Sequence, residues 1–86
     1  MDKVYAVYGH YDREKWHEKT FGNKQAALAH GKQLAKEFFK DRNHQNEPDL
    51  KLFGPDKMDG AIAHWSYGYA PENPEPLISV FEHQVH

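Results

Sequence analysis

One amphipathic segment decides the fold of this chain, and residues 23–41 contain it: NKQAALAHGKQLAKEFFKD. Apolar positions recur at the i, i+3, i+4, i+7 spacing of a single buried helical stripe. They are Ala27, Leu28, Gly31, Leu34, Ala35, Phe38 and Phe39. Asn23 is the expected N-cap, because its side-chain oxygen can accept from a free N–H group of the first turn. The spacing predicts a helix from Asn23 to about Asp41. Gly31 inside the stripe, where glycine costs about 1 kcal/mol relative to alanine, predicts a close approach to the sheet.

Two strands are expected before this helix. Residues 3–11, KVYAVYGHY, are rich in β-branched and aromatic side chains, and residues 16–21, WHEKTF, can return as a second strand. The charged residues 12–15 would form a four-residue hairpin connection. Strict alternation in the second strand would place Trp16, Glu18 and Thr20 on one face and His17, Lys19 and Phe21 on the other.

Three further strands are expected after the helix. Residues 42–49 read as an exposed loop, Leu50 to Phe53 as a short strand, and residues 54–60 as a turn-rich connection. Residues 61–69 alternate clearly. Ala61, Ala63, Trp65, Tyr67 and Tyr69 fall on one face, and Ile62, His64, Ser66 and Gly68 on the other. Prolines in residues 70–76 interrupt the pattern, and Leu77 to about Gln84 forms the last strand.

The fold class that follows is α+β, with a small antiparallel sheet, the element order β-β-α-β-β-β, and one helix packed on one face. Residues 1–86 form a single domain. A helix of about 18 residues is roughly 27 Å long and covers one sheet face only. The first strand is nevertheless apolar on both sides, with Val4, Ala6 and Tyr8 opposed to Tyr5, Val7 and Tyr11. A loop or a partner is therefore expected to cover the second face.

Composition excludes several classes of protein. The 86 residues contain no cysteine, which excludes disulfides and thiolate metal sites. Val, Ile, Leu and Phe number only 16, so the 12 aromatic side chains must supply much of the core. No apolar run approaches the roughly 20 residues of a membrane span, and the first residues lack the apolar region of a signal peptide. We expect a cytoplasmic protein with no membrane partner.

Charge is unequal along the chain. Residues 1–42 carry nine Lys or Arg against six Asp or Glu, whereas residues 43–86 carry two against seven. This asymmetry indicates either an acidic surface for a partner or two solvated surfaces joined by salt bridges.

Seven histidines raise the question of a metal site, but their spacing matches no ligand motif. A site assembled across strands, such as His10 and His64 with Asp12, stays open. We predict no metal and no cofactor. Ser66 and Ser79 are the only serines, and neither lies in a nucleophile motif, although His64 is two residues from Ser66. We therefore predict no catalytic site and a protein that is not an enzyme.

The leading hypothesis is a small protein-interaction module, such as an inhibitor or regulator of a larger protein. It would act through an apolar, aromatic sheet face or edge and the acidic C-terminal half, binding another protein or a second copy as a homodimer. The candidate binding residues are Tyr5, Tyr11, Ile62, His64, Trp65, Tyr67, Tyr69 and Phe81. Trp65 and Tyr67 have a second interpretation, as core residues beneath the helix.

The alternative hypothesis is a nucleic-acid-binding domain. Lys32, Lys36 and Lys40 would supply a basic stripe on the helix, and exposed Tyr and Trp rings would stack on bases.

Overall fold

The computed structural model describes residues 2–42, 50–58, 60–69, 72 and 75–85. Its elements are β1 (Lys3–Tyr11), β2 (Glu14–Phe21), α1 (Lys24–Arg42), β3 (Lys51–Met58), β4 (Ala61–Gly68) and β5 (Glu75–Gln84). The predicted α+β class and element order are confirmed. Arg42, predicted to begin a loop, is the last residue of α1. The rest of that loop, 43–49, and most of the proline-containing link over 70–76 lie outside the described residues.

The five strands form one antiparallel sheet in the order β2-β1-β5-β4-β3. The two strands that precede the helix lie side by side, and β1 joins them to the three later strands through β5. The edges of the sheet are therefore β2 and β3.

Helix α1 lies against one face of this sheet, as the apolar stripe predicts. The Ala26 N–H donates to Asn23 Oδ1 over 3.1 Å, so Asn23 is the N-cap. Ala27 and Ala35 are fully buried. A Cβ on Gly31 would lie 2.8 Å from Cζ3 of Trp65, so the predicted close approach of helix and sheet is confirmed.

Strand register shows which side chains lie under the helix. Val7 of β1 is opposite Val80 of β5, which is opposite Ala63 of β4, and Trp65 is opposite Ile78. Residues directly opposite one another share a face of the sheet. Because Gly31 approaches both Trp65 and Val80, this is the helix-covered face.

The β1–β2 hairpin turn is shorter than predicted. Glu14 and Lys15 already pair with Tyr11 and His10, so the connection contains only Asp12 and Arg13. Their φ angles are 52° and 70°. Two central residues with positive φ are what a type I′ turn requires, and this turn matches the twist of the strands. The prediction of a four-residue connection was therefore wrong.

A β-bulge in β2 overturns the predicted alternation of that strand. Lys19 pairs with Val7, but His17 pairs with Tyr8, so Glu18 is an extra residue. As a result, Trp16 lies on the same side as Phe21, where its ring contacts Phe38 of the helix at 5.9 Å between centroids. His17 lies on the opposite face together with Thr20.

Strand β3 extends beyond the predicted Phe53. Its pairing with β4 shifts between Phe53 and Asp56 and then resumes at Asp56. Gly54 at the shift has a φ of 124°, which glycine adopts without a steric penalty. Pro55 removes a backbone donor, which an edge strand tolerates.

Candidate functional site: the open sheet face

The sheet face turned away from α1, here named the open face, is built by residues of all five strands. They are Val4, Ala6, Tyr8 and His10 of β1, Lys15, His17 and Thr20 of β2, Asp56 of β3, His64 of β4, and Ser79, Phe81 and His83 of β5. Within the described part of the chain, no helix or strand covers this face. The open face therefore combines four histidines with two aromatic rings.

An aromatic pair occupies its centre. Tyr8 and Phe81 belong to neighbouring strands, and their ring centroids lie 5.4 Å apart at an interplanar angle of 82°. This edge-to-face arrangement is the favourable one for two aromatic rings. Both side chains are half-buried, so part of each ring is available to a partner.

Lys15 lies over this pair. Its Nζ atom is 4.8 Å from the Tyr8 ring centroid and 5.0 Å from that of Phe81. Such cation–π contacts contribute about 0.5–1 kcal/mol at exposed sites. They hold an ammonium group at the centre of an otherwise aromatic surface.

Histidines flank the pair on both sides. The His17 ring lies 5.4 Å from that of Tyr8, and its Nε2 atom is 2.7 Å from Thr20 Oγ1. The His83 ring stacks on Phe81 at 6.4 Å between centroids. The aromatic pair and its flanking imidazoles thus form one continuous patch across β2, β1 and β5.

His64 is the buried member of the open face. Its side chain retains only 6% of its exposure, and its Nε2 atom has no hydrogen-bond partner among the described residues. Burial first, and then the neighbouring His10, lowers the pKa of His64, while Asp56 acts in the opposite direction. The pKa of His10 is lowered as well, mainly by burial and secondly by Lys15. Both histidines therefore resist protonation in the free protein.

Register places Asp56, His64 and Ser79 in one row across β3, β4 and β5. This is the residue order of a charge-relay triad. His64 Nε2 has no hydrogen-bond partner in the described part of the chain, so this atom does not bind Ser79, and both residues are buried. Ser66, the other serine, is also buried. A triad needs a hydrogen-bonded, accessible nucleophile, so the row lacks the geometry for nucleophilic attack.

The cross-strand metal site that the sequence left open was a combination of His10, His64 and Asp12. The structure brings His10 close enough to His64 for its charge to affect the pKa. Asp12 lies in the exposed hairpin turn. Within the described ranges, no group of three or more His, Cys, Asp or Glu could hold a metal ion.

Of the eight predicted binding residues, His64 and Phe81 lie on the open face. Tyr5 lies on the helix-covered face and packs on the core, and Trp65 is buried there with 3% exposure. Neither can belong to an open binding surface. The helix covers the face that carries Val7 and Ala63, and the odd positions of β1 and β4 share that face.

The predicted position of Ile62 was also wrong. It was expected beside His64, but the β3–β4 register shifts between Asp56 and Met58, opposite residues 61–64. The shift breaks the alternation of β4. Ile62 instead packs against the core and lines a cavity together with Leu28 of the helix.

The remaining predicted tyrosines lie near strand ends. Tyr11 ends β1 with 43% exposure, and Tyr69 follows β4 with 60%. Tyr67 is half-buried and donates a hydrogen bond to Glu75 Oε2 over 2.8 Å. None of the three belongs to the aromatic patch of the open face.

The helix lysines of the nucleic-acid alternative, Lys32, Lys36 and Lys40, are exposed. They lie on the helix, whereas the half-exposed rings Tyr8 and Phe81 lie on the opposite face of the sheet. The lysine stripe and the stacking rings therefore do not form one surface.

Sequence reasoning missed four residues of the open face as site residues, namely Tyr8, Lys15, His17 and His83, and it considered His10 only as a metal ligand. Alternation placed Tyr8 correctly in β1, but nothing in the sequence told which face of β1 the helix would cover. The sheet face on which His17 and Lys15 lie is determined by the bulge at Glu18, which the sequence pattern does not show. Residues 12–15 contain no Asn-Gly or Asp-Gly pair to indicate a two-residue turn, and Asp12, a residue type that tolerates positive φ, was the only partial signal. The observed turn pairs Lys15 with His10.

The opposed charges of the two halves meet where β1 joins β5. Lys3 Nζ lies 3.1 Å from Glu82 Oε1 in a largely exposed ion pair. Such pairs contribute about 0–1 kcal/mol. Among the acidic residues of this half that the structure describes, Asp56 lies opposite His64, whereas Glu82 pairs with Lys3 and Glu75 accepts a hydrogen bond from Tyr67. The central charge of the open face is Lys15.

No helix in the described part of the chain is long and apolar enough to cross a membrane. Comparison with protein-family models, with curated proteins and with solved structures gives no match.

Proposed function

We propose that this protein is a non-enzymatic interaction module whose open face binds an acidic segment of another protein. The observation that carries the proposal is the half-buried Tyr8–Phe81 pair with Lys15 above it and histidines on both sides. Aromatic side chains with a fixed cation provide contact area and charge selectivity in one place. A regulator or inhibitor of a larger protein would use such a surface.

Charge selects an acidic partner over a second copy of the chain. In a two-fold symmetric dimer through this face, each patch meets the same patch. Lys15 of one copy would then lie against the patch that carries Lys15 of the other, and this pairing of like charges is unfavourable. Glutamate or aspartate side chains complement the same groups by accepting charge-assisted hydrogen bonds.

The same surface makes nucleic acid the weaker candidate. Phosphate-driven binding needs several cations along one track. Among the described residues of the open face, Lys15 is the only lysine or arginine. The helix lysines, which could add to it, lie beyond the other face of the sheet.

The test uses a fluorescein-labelled peptide of alternating Glu and Leu residues and a matched peptide of Lys and Leu. Fluorescence anisotropy should show binding of the acidic peptide only. Lys15→Glu should weaken this binding by about tenfold or more, because an attractive charge becomes repulsive. The matched control Lys36→Glu makes the same charge change on the exposed helix surface and should leave the affinity unchanged.

Three outcomes would overturn the proposal. They are equal affinity for both peptides, equal losses in the two variants, and dimerisation in sedimentation that Lys15→Glu abolishes. Tighter binding of an oligothymidine strand than of the acidic peptide, with a steep salt dependence, would favour the nucleic-acid alternative.

A further inference from the structure

A cavity of about 370 Å³ lies between the helix and the β3–β4 edge, on the other side of the sheet from the open face. Ten residues of these elements line it: Lys24, Leu28, Ala29, Lys32, Pro55, Asp56, Lys57, Ile62, Ala63 and Trp65. Its volume is within the range of small-molecule sites, which is about 300–1,000 Å³.

The walls of this cavity are apolar. Leu28 and Ile62 are half-buried, so each presents part of its side chain to the cavity, while Ala63 and Trp65 are buried in the core beneath them. Pro55 adds an apolar ring from the edge strand. An aromatic or short aliphatic group is the complement of such walls.

The rim is cationic. Lys24 and Lys32 of the helix and Lys57 of β3 are exposed, and Asp56 is the one carboxylate among the lining residues. Lys24 is also the first residue of α1, and the first turn contains no acidic side chain. A lysine at that position is unfavourable for the helix dipole. The charge at this mouth therefore favours a negative group.

We propose that this cavity binds a small amphiphilic anion, a carboxylate carried on an aromatic or short aliphatic body. The body would lie against Leu28 and Ile62, and the carboxylate would lie at the mouth between the lysines. Apolar burial would supply most of the affinity, and the lysines would select the charge of the ligand. This site is separate from the open face and does not depend on the function proposed for it.

The test compares 1-naphthaleneacetate with its uncharged amide, 1-naphthaleneacetamide, because the two share one aromatic body. Their binding is followed by NMR through the methyl groups of Ala29 and Ala63 and the indole N–H of Trp65. The carboxylate should shift these signals at concentrations at least about fivefold lower than the amide, since only the carboxylate can pair with the lysines.

Two double variants test the role of the rim. Lys24→Gln with Lys32→Gln should weaken naphthaleneacetate binding several-fold and leave amide binding unchanged. Lys36→Gln with Lys40→Gln removes the same charge from exposed helix positions that do not line the cavity, and should change neither. All four positions are solvent-exposed, so both variants are expected to fold.

Equal binding of the carboxylate and the amide would overturn the proposal, as would equal losses in the two double variants. Signal shifts confined to open-face residues such as Tyr8 would also overturn it. Absence of any shift at millimolar naphthaleneacetate would count against the cavity as a site for this class of ligand.

Discussion

The imidazole of His64 is the least expected single group in the molecule. A buried polar atom without a hydrogen bond costs about 1–3 kcal/mol, and His64 Nε2 has no partner among the described residues. An alternating strand pattern could place His64 on a face, but it could not show that neighbouring strands would bury it.

The lowered pKa values of His64 and His10 make folding stability depend on pH. The unfolded chain binds protons near pH 6.5, whereas the folded chain does so only at lower pH. The stabilisation from these groups is therefore complete above pH 6.5 and is lost as pH falls. Urea unfolding between pH 7.5 and 5 should show a decreasing free energy of unfolding.

His64→Leu should reduce this pH dependence and leave a smaller part that is due to His10. It should not lower stability at pH 7.5, because it removes an unpartnered buried polar atom. His17→Gln, at an exposed histidine of the same face, is the control and should keep the full dependence. An unchanged slope in His64→Leu would show that burial of this imidazole is not the cause.

A second prediction at the scale of one residue concerns the stability of a variant at Gly31. Gly31→Ala adds a methyl group that would lie 2.8 Å from the buried ring of Trp65. The overlap should exceed the gain in helix propensity and lower the free energy of unfolding by about 1–2 kcal/mol. Gly22→Ala, where no atom lies within 4 Å of the added carbon, should have little effect in the same thermal or urea unfolding experiment.

At the scale of elements, helix α1 was predictable because its determinants are local. The Asn23 cap, the apolar stripe and the glycine at the contact all lie within one segment, so the sequence pattern shows them directly. The bulge at Glu18 was not predictable in this way. It depends on how β2 pairs with β1, which is a property of two separated segments. Because strict alternation in β2 ignores this bulge, it grouped Trp16 with Thr20 and His17 with Phe21 on the wrong faces of the sheet.

The β1–β2 turn offers a test of this pairing. Asp12 and Arg13 have positive φ, which costs a non-glycine residue about 1–2 kcal/mol relative to an unstrained conformation. Replacing the pair with Asn-Gly, through Asp12→Asn and Arg13→Gly, should raise the free energy of unfolding by about 1 kcal/mol. Glu14→Gly, just inside β2, should instead destabilise the hairpin. Destabilisation by the Asn-Gly turn would contradict the type I′ assignment.

At the scale of the whole molecule, one helix and five strands leave one sheet face without a second layer in the described residues. The sequence predicted this surplus from the apolar character of both sides of β1. It placed Phe81 on the binding surface but not Tyr8, and it also placed Trp65 and Tyr5 there, which lie under the helix. The close approach of Gly31 to Trp65 and Val80 determines which face of the sheet the helix covers.

The affinity of the open face for an acidic peptide should rise as pH falls, whereas the free energy of unfolding should decrease. An acidic peptide near His10 and His64 would favour their protonated forms, so binding takes up protons and tightens as pH falls from 7.5 to 6. Calorimetry in two buffers of different ionisation enthalpy would measure the proton uptake, and proton release on binding would contradict this coupling.

The central claim is that the open face is the binding surface, and an NMR titration of the isotope-labelled protein with the acidic Glu-Leu peptide tests it most directly. The shifted signals should cluster on Tyr8, Lys15, His17, Phe81 and His83, and the exposed residues of α1 should stay unchanged. Shifts that cluster on Lys32, Lys36 and Lys40, with the aromatic patch unaffected, would contradict the claim.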